Sequence, residues 1–190
     1  TCGAGTEVLM KNFDLPITTM QRRPLRMVMV RHGITEPLYV HCVSDRLSMT
    51  PEMTITSHTN GAGQPVWYLG GEIAEQGVHQ TDEELIKTAQ GKLKEMFPWC
   101  DLDNASWATL AIDRAEEKQA SGKRPDDISI AQNKNLMVCW PTKLTLAPNL
   151  ANQVLARMQD SGLTPHSETP AQAPAFLQHP QVAATPWEQL

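Results

Sequence analysis

Apolar positions in the first half of the chain follow the periodicity of strands. Short apolar runs occupy residues 25–32, 38–43, 53–58 and 66–69. The residues between them are typical of turns, namely Gly33 and Pro37, Ser44-Asp45, and Asn60-Gly61-Ala62-Gly63. These gaps are too short for the crossover helices that parallel strands need. The pattern therefore predicts a four-stranded antiparallel meander.

Two later segments have helical spacing. Thr81 and Glu84 form a capping box, and Pro98 ends the helix that it begins. The apolar face of this helix consists of Leu85, Ala89, Leu93 and Met96. A second helix is predicted over about residues 148–158, with Gly162 as its C-cap. Its apolar stripe consists of Leu150, Val154, Leu155 and Met158.

Further short elements complete the predicted layout. A short helix is expected over residues 6–13, and strands over residues 107–112, 128–131 and 136–140, with a charged loop over 116–127. Because most strands come before the long helix, the grouping predicts an α+β fold. We expect a mainly antiparallel sheet with two principal helices packed on it, followed by a proline-rich tail.

Composition and charge exclude several classes of function. The 190 residues carry a formal net charge of -5, and the 16 lysines and arginines do not cluster, which disfavours a nucleic-acid partner. No apolar run approaches the ~20 residues of a membrane span. No basic segment precedes an apolar stretch, so a secretory signal is not expected. The sequence thus predicts a soluble, cytoplasmic protein.

The two ends of the chain differ from the rest. Thr1-Cys2-Gly3-Ala4-Gly5 reads as if taken from inside a longer polypeptide. Residues 161–190 contain five prolines and are expected to be extended, disordered or laid along a partner. A non-enzymatic interaction module that holds its partner through this tail is therefore one possible function.

Cysteine and histidine spacing does not indicate a metal site. Cys2, Cys42, Cys100 and Cys139 lack CxxC spacing and are interpreted as reduced, buried thiols. His41, His58 and His79 lack the spacing of a helical metal motif. We therefore expect no bound metal.

One short motif indicates phosphoryl chemistry. Arg31-His32-Gly33-Ile34-Thr35 follows an apolar strand and resembles the RHGxT signature of histidine phosphatases and phosphoglycerate mutases. In that family the histidine accepts the phosphoryl group and the arginine neutralises its charge. A phosphatase or mutase using His32 is thus an alternative function, and a strand ending at a glycine turn is the structural alternative.

A longer resemblance, over about residues 1–160, is carried by several segments in order. They are Thr1-Cys2-Gly3-Ala4-Gly5-Thr6-Glu7, the predicted meander ending in Trp67-Tyr68-Leu69-Gly70-Gly71, residues 107–114, and residues 135–148. Together they resemble FAD-dependent oxidoreductases of the D-amino-acid oxidase and glycine oxidase type. The resemblance implies that a small amino acid, amine or hydroxy compound is oxidised by hydride transfer to FAD.

The same resemblance implies roles for individual residues. Arg114 would bind a substrate anion, with Tyr68 and His41 facing the substrate cavity. The residues implied to contact FAD are Gly3, Gly5, Thr142, Lys143 and Thr145. Each has a structural alternative. Arg114 could form a surface pair with Asp113 or Glu117, Lys143 could be an exposed cap residue, and Tyr68 and His41 could be ordinary sheet residues.

The resemblance also divides the chain. It implies the end of a Rossmann part over 1–23, a substrate-binding sheet domain over 24–135, a flavin-contacting strand, loop and helix over 136–160, and the tail over 161–190. The GxGxxG dinucleotide fingerprint of the family is absent from the sequence. We therefore expect a missing FAD-binding half as partner. The chain alone would not retain FAD, would be inactive, and would tend to self-associate.

Overall fold

The computed structural model describes residues 3–12, 20–43, 50–140, 143–164, 176 and 181–190. The chain forms two compact units. Unit 1 consists of Thr1–Arg23 and Arg114–Gln181, and unit 2 of Pro24–Asp113 and Val182–Leu190. The assignment of residues 1–23, 24–135, 136–160 and 161–190 to flavin, substrate and tail functions stays a prediction.

A five-stranded sheet is the main structural feature. Its strands are β1 (Met20–Arg31), β2 (Tyr39–Cys42), β3 (Met53–Thr59), β4 (Pro65–Gly70) and β5 (Ser106–Glu117). The strand order is β2-β3-β4-β1-β5, and the pairs β2–β3, β3–β4 and β1–β4 are antiparallel. With four α-helices in the described chain, this arrangement confirms the α+β class with a mainly antiparallel sheet.

The order of the strands differs from a simple meander. Strands β2, β3 and β4 do follow one another, but β1 lies beside β4 and not beside β2. Met27, Val28, Met29 and Val30 of β1 are all buried, whereas β2 alternates between exposed and partly exposed residues. The buried strand β1 lies between two other strands, β4 and β5, whereas the more exposed strand β2 forms an edge of the sheet.

The helices are α1 (Thr6–Asn12), α2 (Glu72–Gln76), α3 (Asp82–Met96) and α4 (Ala147–Asp160). The capping box of α3 is confirmed, because the Thr81 hydroxyl accepts from Glu84 N at 3.3 Å and Glu84 Oε2 accepts from Thr81 N at 2.8 Å. These backbone and side-chain hydrogen bonds lower the pKa of the Glu84 carboxyl. Helix α2 was not among the predicted elements.

The core of unit 2 lies between α3 and one face of the sheet. Leu85, Ala89 and Leu93 of α3 are almost fully buried, as the helical spacing predicted. They belong to one cluster with sheet residues that lie on the same face, namely Val28, Val30, Ile55, Trp67 and Leu69. We call this side of the sheet the helix face. Burial of these large side chains contributes most of the stability of the unit.

A glycine allows the chain to turn sharply after β4. Gly71 has a φ of +87°, and a Cβ at this position would lie 2.7 Å from the carbonyl oxygen of Pro51. A side chain would therefore be strained in its backbone conformation and would collide with a neighbouring main chain. This turn is what allows α2 to begin directly after β4.

In unit 1, β6 (Ser129–Asn133) and β7 (Leu136–Trp140) form an antiparallel hairpin. Helix α4 ends at Asp160 with Ser161 as its C-cap, and Gly162, the predicted C-cap, follows with a φ of +78°. Gly162 N donates to Gln159 O, and Leu163 N donates to Met158 O, the pattern of a Schellman motif. The predicted stripe of α4 is only partly covered, since Leu150 is buried but Leu155 and Met158 are exposed.

The charged loop predicted over residues 116–127 starts later in the structure than the sequence suggested. Strand β5 continues to Glu117, and the Glu116 side chain is buried. Its carboxylate forms an ion pair with Arg23 and accepts from Gln21 Nε2 at 3.3 Å. Because a buried carboxylate is tolerated when it is paired and hydrogen-bonded, a charged residue can continue the strand here.

Much of the proline-rich tail lies outside the described residues. Its last part, residues 182–190, belongs to unit 2 and includes a 3-10 helix, Pro186–Gln189. Among the described residues, none of the helices combines the length and the apolar character that crossing a bilayer would require.

Candidate functional site

The side of the sheet opposite the helix face carries most of the polar chemistry of unit 2. The antiparallel register places the following residues on this side, which we call the polar face: Met27, Met29, Arg31, Tyr39, His41, Thr54, Thr56, His58, Val66, Tyr68 and Gly70. Two of the predicted substrate-binding residues, Tyr68 and His41, are therefore on the same face. Whether they bind substrate stays a prediction.

Three rings form an aromatic cluster on the polar face. Trp187 stacks on His58, with ring centroids 3.9 Å apart and planes inclined by 20°. Tyr68 meets both rings edge-on, with its centroid 6.1 Å from that of His58 and 6.0 Å from that of Trp187. Such edge-to-face and stacked pairs are favourable arrangements of aromatic rings. We call His58, Tyr68 and Trp187 the aromatic cluster.

The cluster keeps its two titratable rings neutral near pH 7. Partial burial lowers the pKa of His58 from its ordinary value of 6.5 and raises the pKa of the Tyr68 phenol from 10.0. The Nε2 atom of His58 lies 3.0 Å from the Thr56 hydroxyl, a neutral hydrogen-bond partner. The cluster thus offers a phenol and an imidazole without formal charge.

Residues 182–190 hold Trp187 in place, and we call them the C-terminal strap. Glu188 Oε2 accepts from Gly61 N at 2.6 Å, and the Leu190 carbonyl oxygen accepts from Asn60 Nδ2 at 3.2 Å. The hairpin that supplies these donors is itself ordered, because Asn60 Oδ1 accepts from Ala62 N and Gln64 N. The strap is therefore bound at the β3–β4 turn, next to the aromatic cluster.

His41 and Arg31 lie near the ends of the polar face. The His41 side chain is exposed on the edge strand β2, opposite Thr54. Arg31 donates to Ser106 Oγ at 2.7 Å and to Gln64 Oε1 at 3.4 Å. Both acceptors are neutral, so these contacts leave the positive charge of the guanidinium uncompensated.

Arg114 belongs to unit 1 and is partly buried on β5. Its Nε donates to the Arg23 carbonyl oxygen at 3.3 Å, and the Arg23 side chain in turn pairs with Glu116. The described contacts of Arg114 thus join it to a structural network in unit 1. A role in substrate binding stays a prediction.

The residues predicted to contact a flavin also fall in unit 1. Gly3 has a φ of +53°, and no atom lies within 4 Å of the position its Cβ would take, while Gly5 is exposed at the start of α1. Lys143 and Thr145 are exposed at a 3-10 helix, Leu144–Leu146, that leads into α4. No side chain in the described part of the chain caps either helix. Thr142 lies outside the described residues.

The RHGxT motif has a structural explanation. His32 is 8% exposed, and its ring centroid lies 4.2 Å from that of Trp67. Its Nδ1 accepts a hydrogen bond from Ile34 N at 3.1 Å. Burial lowers its pKa. A buried ring that uses one nitrogen to hold the following turn agrees with the structural alternative, a strand that ends at a glycine turn.

Metal and thiol chemistry find no support in the described chain. No group of histidine, cysteine and acidic residues there has the arrangement of a metal site. Burial raises the pKa of Cys42, Cys100 and Cys139, so their thiols stay protonated near neutral pH. Cys2 lies outside the described residues.

The chain is similar over nearly its whole length to a flavin enzyme of known structure. It is 43% identical over 191 aligned positions to a Pseudomonas aeruginosa protein named "Probable FAD-dependent oxidoreductase", covering 99% of this chain and 47% of that protein. The crystal structure of the FAD-dependent oxidoreductase from P. aeruginosa matches with a TM-score of 0.87 and 43% identity, over 98% of this chain and 50% of that one. No protein-family model matches the chain.

These similarities agree with the coarse interpretation of the sequence, an FAD-dependent oxidoreductase. The chain spans about half the length of the relative it matches. Sequence reasoning missed Trp187, which completes the aromatic cluster. The available signal was a tryptophan directly after Pro186 in a proline-rich tail that the sequence predicts to be extended, disordered or laid along a partner.

Proposed function

We propose that this chain is the substrate-domain part of an FAD-dependent oxidoreductase of the D-amino-acid oxidase type. The complete protein oxidises a small amino acid, amine or hydroxy compound by hydride transfer to FAD. The observation that carries the proposal is the 43% identity across 99% of the chain to half of a protein named as an FAD-dependent oxidoreductase.

The start of α4 fits a contact with the flavin. FAD, when bound, supplies the hydride acceptor, and its reduced ring carries negative charge at the pyrimidine edge. The N-termini of α4 and of the 3-10 helix before it carry no side-chain cap among the described residues. Leu146 N and Ala147 N already donate within the 3-10 helix, and the exposed Lys143 ammonium directly before it can neutralise an external anionic group. We assign Thr142 and Thr145 to the same contact.

Gly3 and Gly5 suit a close approach of backbone to cofactor. The exposed Gly3 has a positive φ and no side chain, so a ligand can come close to the main chain at this position. We assign these two glycines to the contact with FAD on the side of the missing dinucleotide-binding half.

Substrate binding is assigned to Tyr68, His41 and Arg114. The Tyr68 phenol stays protonated because burial raises its pKa, so it can donate a hydrogen bond to a carboxylate. The His41 imidazole is exposed on the same face of the sheet. The guanidinium of Arg114 can bind a carboxylate through two parallel hydrogen bonds. The substrate expected from these groups is anionic or zwitterionic.

The half of the relative that the chain does not span is the proposed partner. Several large apolar side chains of unit 1 are exposed: Val8, Leu9, Leu144, Leu155, Met158 and Leu163. An uncovered helix face such as that of Leu155 and Met158 is typical of an interface. We infer that a dinucleotide-binding half covers these residues and supplies the pyrophosphate site.

An absorbance scan between about 300 and 550 nm tests this function. We expect flavin bands when FAD is added to the chain together with the rest of its gene product, and no retained flavin with the chain alone. A complete polypeptide that stays colourless after FAD addition would contradict the proposal.

Two substitutions separate flavin contact from folding. Lys143→Gln should weaken FAD binding about tenfold, since it removes one charge next to an anionic ring. Lys134→Gln, in the exposed turn between β6 and β7, is the matched control and should leave flavin binding unchanged. Equal effects of both substitutions would remove Lys143 from the proposed contact.

A further inference from the structure

We propose that the C-terminal strap forms one wall of the substrate site, and that Trp187 makes the site prefer substrates with a flat, uncharged hydrocarbon group. This inference rests on the proposed function, because it takes the polar face as the side where substrate binds. It adds a specificity-determining residue and a substrate class that the similarity to the P. aeruginosa protein does not supply.

The position of Trp187 is the first argument. Its ring stacks on the imidazole of His58, with the two ring centroids 3.9 Å apart. Its centroid lies 6.0 Å from that of Tyr68, which is a predicted substrate-binding residue. Trp187 itself is only partly buried, so part of its ring remains available for contact. A ligand that reaches the Tyr68 hydroxyl would lie against this ring.

The anchoring of the strap is the second argument. Two hydrogen bonds hold it to the β3–β4 turn, from Gly61 N to Glu188 and from Asn60 Nδ2 to the Leu190 carbonyl oxygen, both shortly after Trp187 in the chain. The Glu188 carboxylate also accepts from Thr185 Oγ1 at 3.2 Å, which fixes the start of the 3-10 helix. These contacts set the position of Trp187, and a preorganised aromatic wall loses little entropy on binding.

The chemistry of the surrounding residues is the third argument. None of the residues that we assigned to the polar face is acidic, and the one fixed charge among them is the cation of Arg31. The Glu188 carboxylate on the strap follows Trp187 directly, but it already accepts from Gly61 N and Thr185 Oγ1, so a substrate ammonium would have to compete for it. The neutral rings of the aromatic cluster favour an uncharged flat group by stacking.

Paired ligands test the selectivity in the complete protein. Titration calorimetry with N-benzylglycine and N-methylglycine compares two zwitterions that differ by one phenyl group. We expect the wild type to bind N-benzylglycine at least about tenfold more tightly, and Trp187→Ala to remove most of that ratio. Trp187→Phe should keep the ratio of the two affinities within about threefold of the wild-type ratio.

Three results would overturn the inference. They are a wild type without preference for the phenyl compound, a Trp187→Ala variant that keeps the preference, and an equal loss of affinity for both ligands. Because calorimetry does not depend on flavin chemistry, its result is separate from the absorbance test. Preference without flavin bands would contradict the proposed function while supporting the aromatic wall.

Amide hydrogen exchange tests the anchoring independently of any ligand. Glu188→Ala should speed exchange of the Gly61 amide at least about tenfold, because it removes the acceptor of that amide. Glu83→Ala, at an exposed position on α3, is the control and should leave the Gly61 amide unchanged. Unchanged exchange in Glu188→Ala would show that the strap does not hold this turn.

Discussion

At the scale of single residues, two buried titratable groups show how local chemistry controls stability. Glu116 is 4% exposed and satisfied by Arg23 and Gln21, whereas His32 is buried as a neutral ring against Trp67. The carboxylate is stabilised in its charged form by a cation, and the imidazole in its neutral form by burial. The two groups therefore respond differently to substitution and to pH.

Replacing Glu116 by alanine should destabilise unit 1 by about 3 kcal/mol, because the Arg23 guanidinium would stay buried without its partner. Urea unfolding monitored by circular dichroism measures the change. The neighbouring substitution Glu117→Ala serves as control and should cost less than about 1 kcal/mol. Equal costs at the two positions would show that the buried pair contributes nothing specific.

His32 should make the protein less stable in mild acid. Its folded-state pKa is lowered from 6.5 by burial, so just below that pH the unfolded chain binds more protons than the folded protein. The free energy of unfolding is therefore highest above about pH 6.5 and falls as pH decreases through that value. Unfolding at about pH 7.5 and pH 5.5 should show a smaller difference in His32→Phe than in the wild type. An unchanged difference would assign the acid sensitivity to other groups.

At the scale of elements, local signals were predicted well and long-range pairing was not. The capping box and the apolar spacing of α3 lie within a few residues of one another, and both appear in the structure. Which strand pairs with β1 depends on residues of several strands that are far apart in the sequence. No local pattern therefore predicts that β4 lies beside β1. Helix α2 was missed because five residues give no measurable periodicity.

Alanine at two positions of α3, the N-cap Thr81 and the internal Gly91, should change the stability of the protein in opposite directions. Thr81→Ala removes the capping hydroxyl and should cost about 1 kcal/mol, whereas Thr81→Ser should cost much less. Gly91→Ala should add about 0.5–1 kcal/mol, since Gly91 is exposed inside the helix and nothing lies within 4 Å of the added methyl group. Thermal unfolding checks both, and a destabilised Gly91→Ala would contradict the helix geometry.

At the scale of the whole molecule, the candidate site could be predicted only in part. Tyr68 and His41 were correctly expected on strands, and the register places them on one face. Trp187 comes from a segment more than one hundred residues further along the chain, and no local pattern relates it to His58. The roles of Arg114 and Lys143 remain predictions because their targets belong to molecules outside this chain.

The exposed apolar residues of unit 1 predict how the chain behaves without its partner. The chain alone should self-associate with increasing concentration, and the double substitution Leu155→Glu with Met158→Glu should reduce that association. Analytical ultracentrifugation measures it, with Val43→Glu, exposed in unit 2, as the control. Association that responds equally to both changes would place the contact elsewhere.

The glycine at position 71 has a consequence for the natural variation of this protein. Its positive φ and the carbonyl oxygen of Pro51 leave no room for a side chain, while Gly33 and Gly91 have open space around them. In a library that samples every amino acid at each site, position 71 should accept glycine alone and positions 33 and 91 should accept alanine. Glycine at position 71 should then be conserved in distant homologues of this sheet, even where most of their other residues differ.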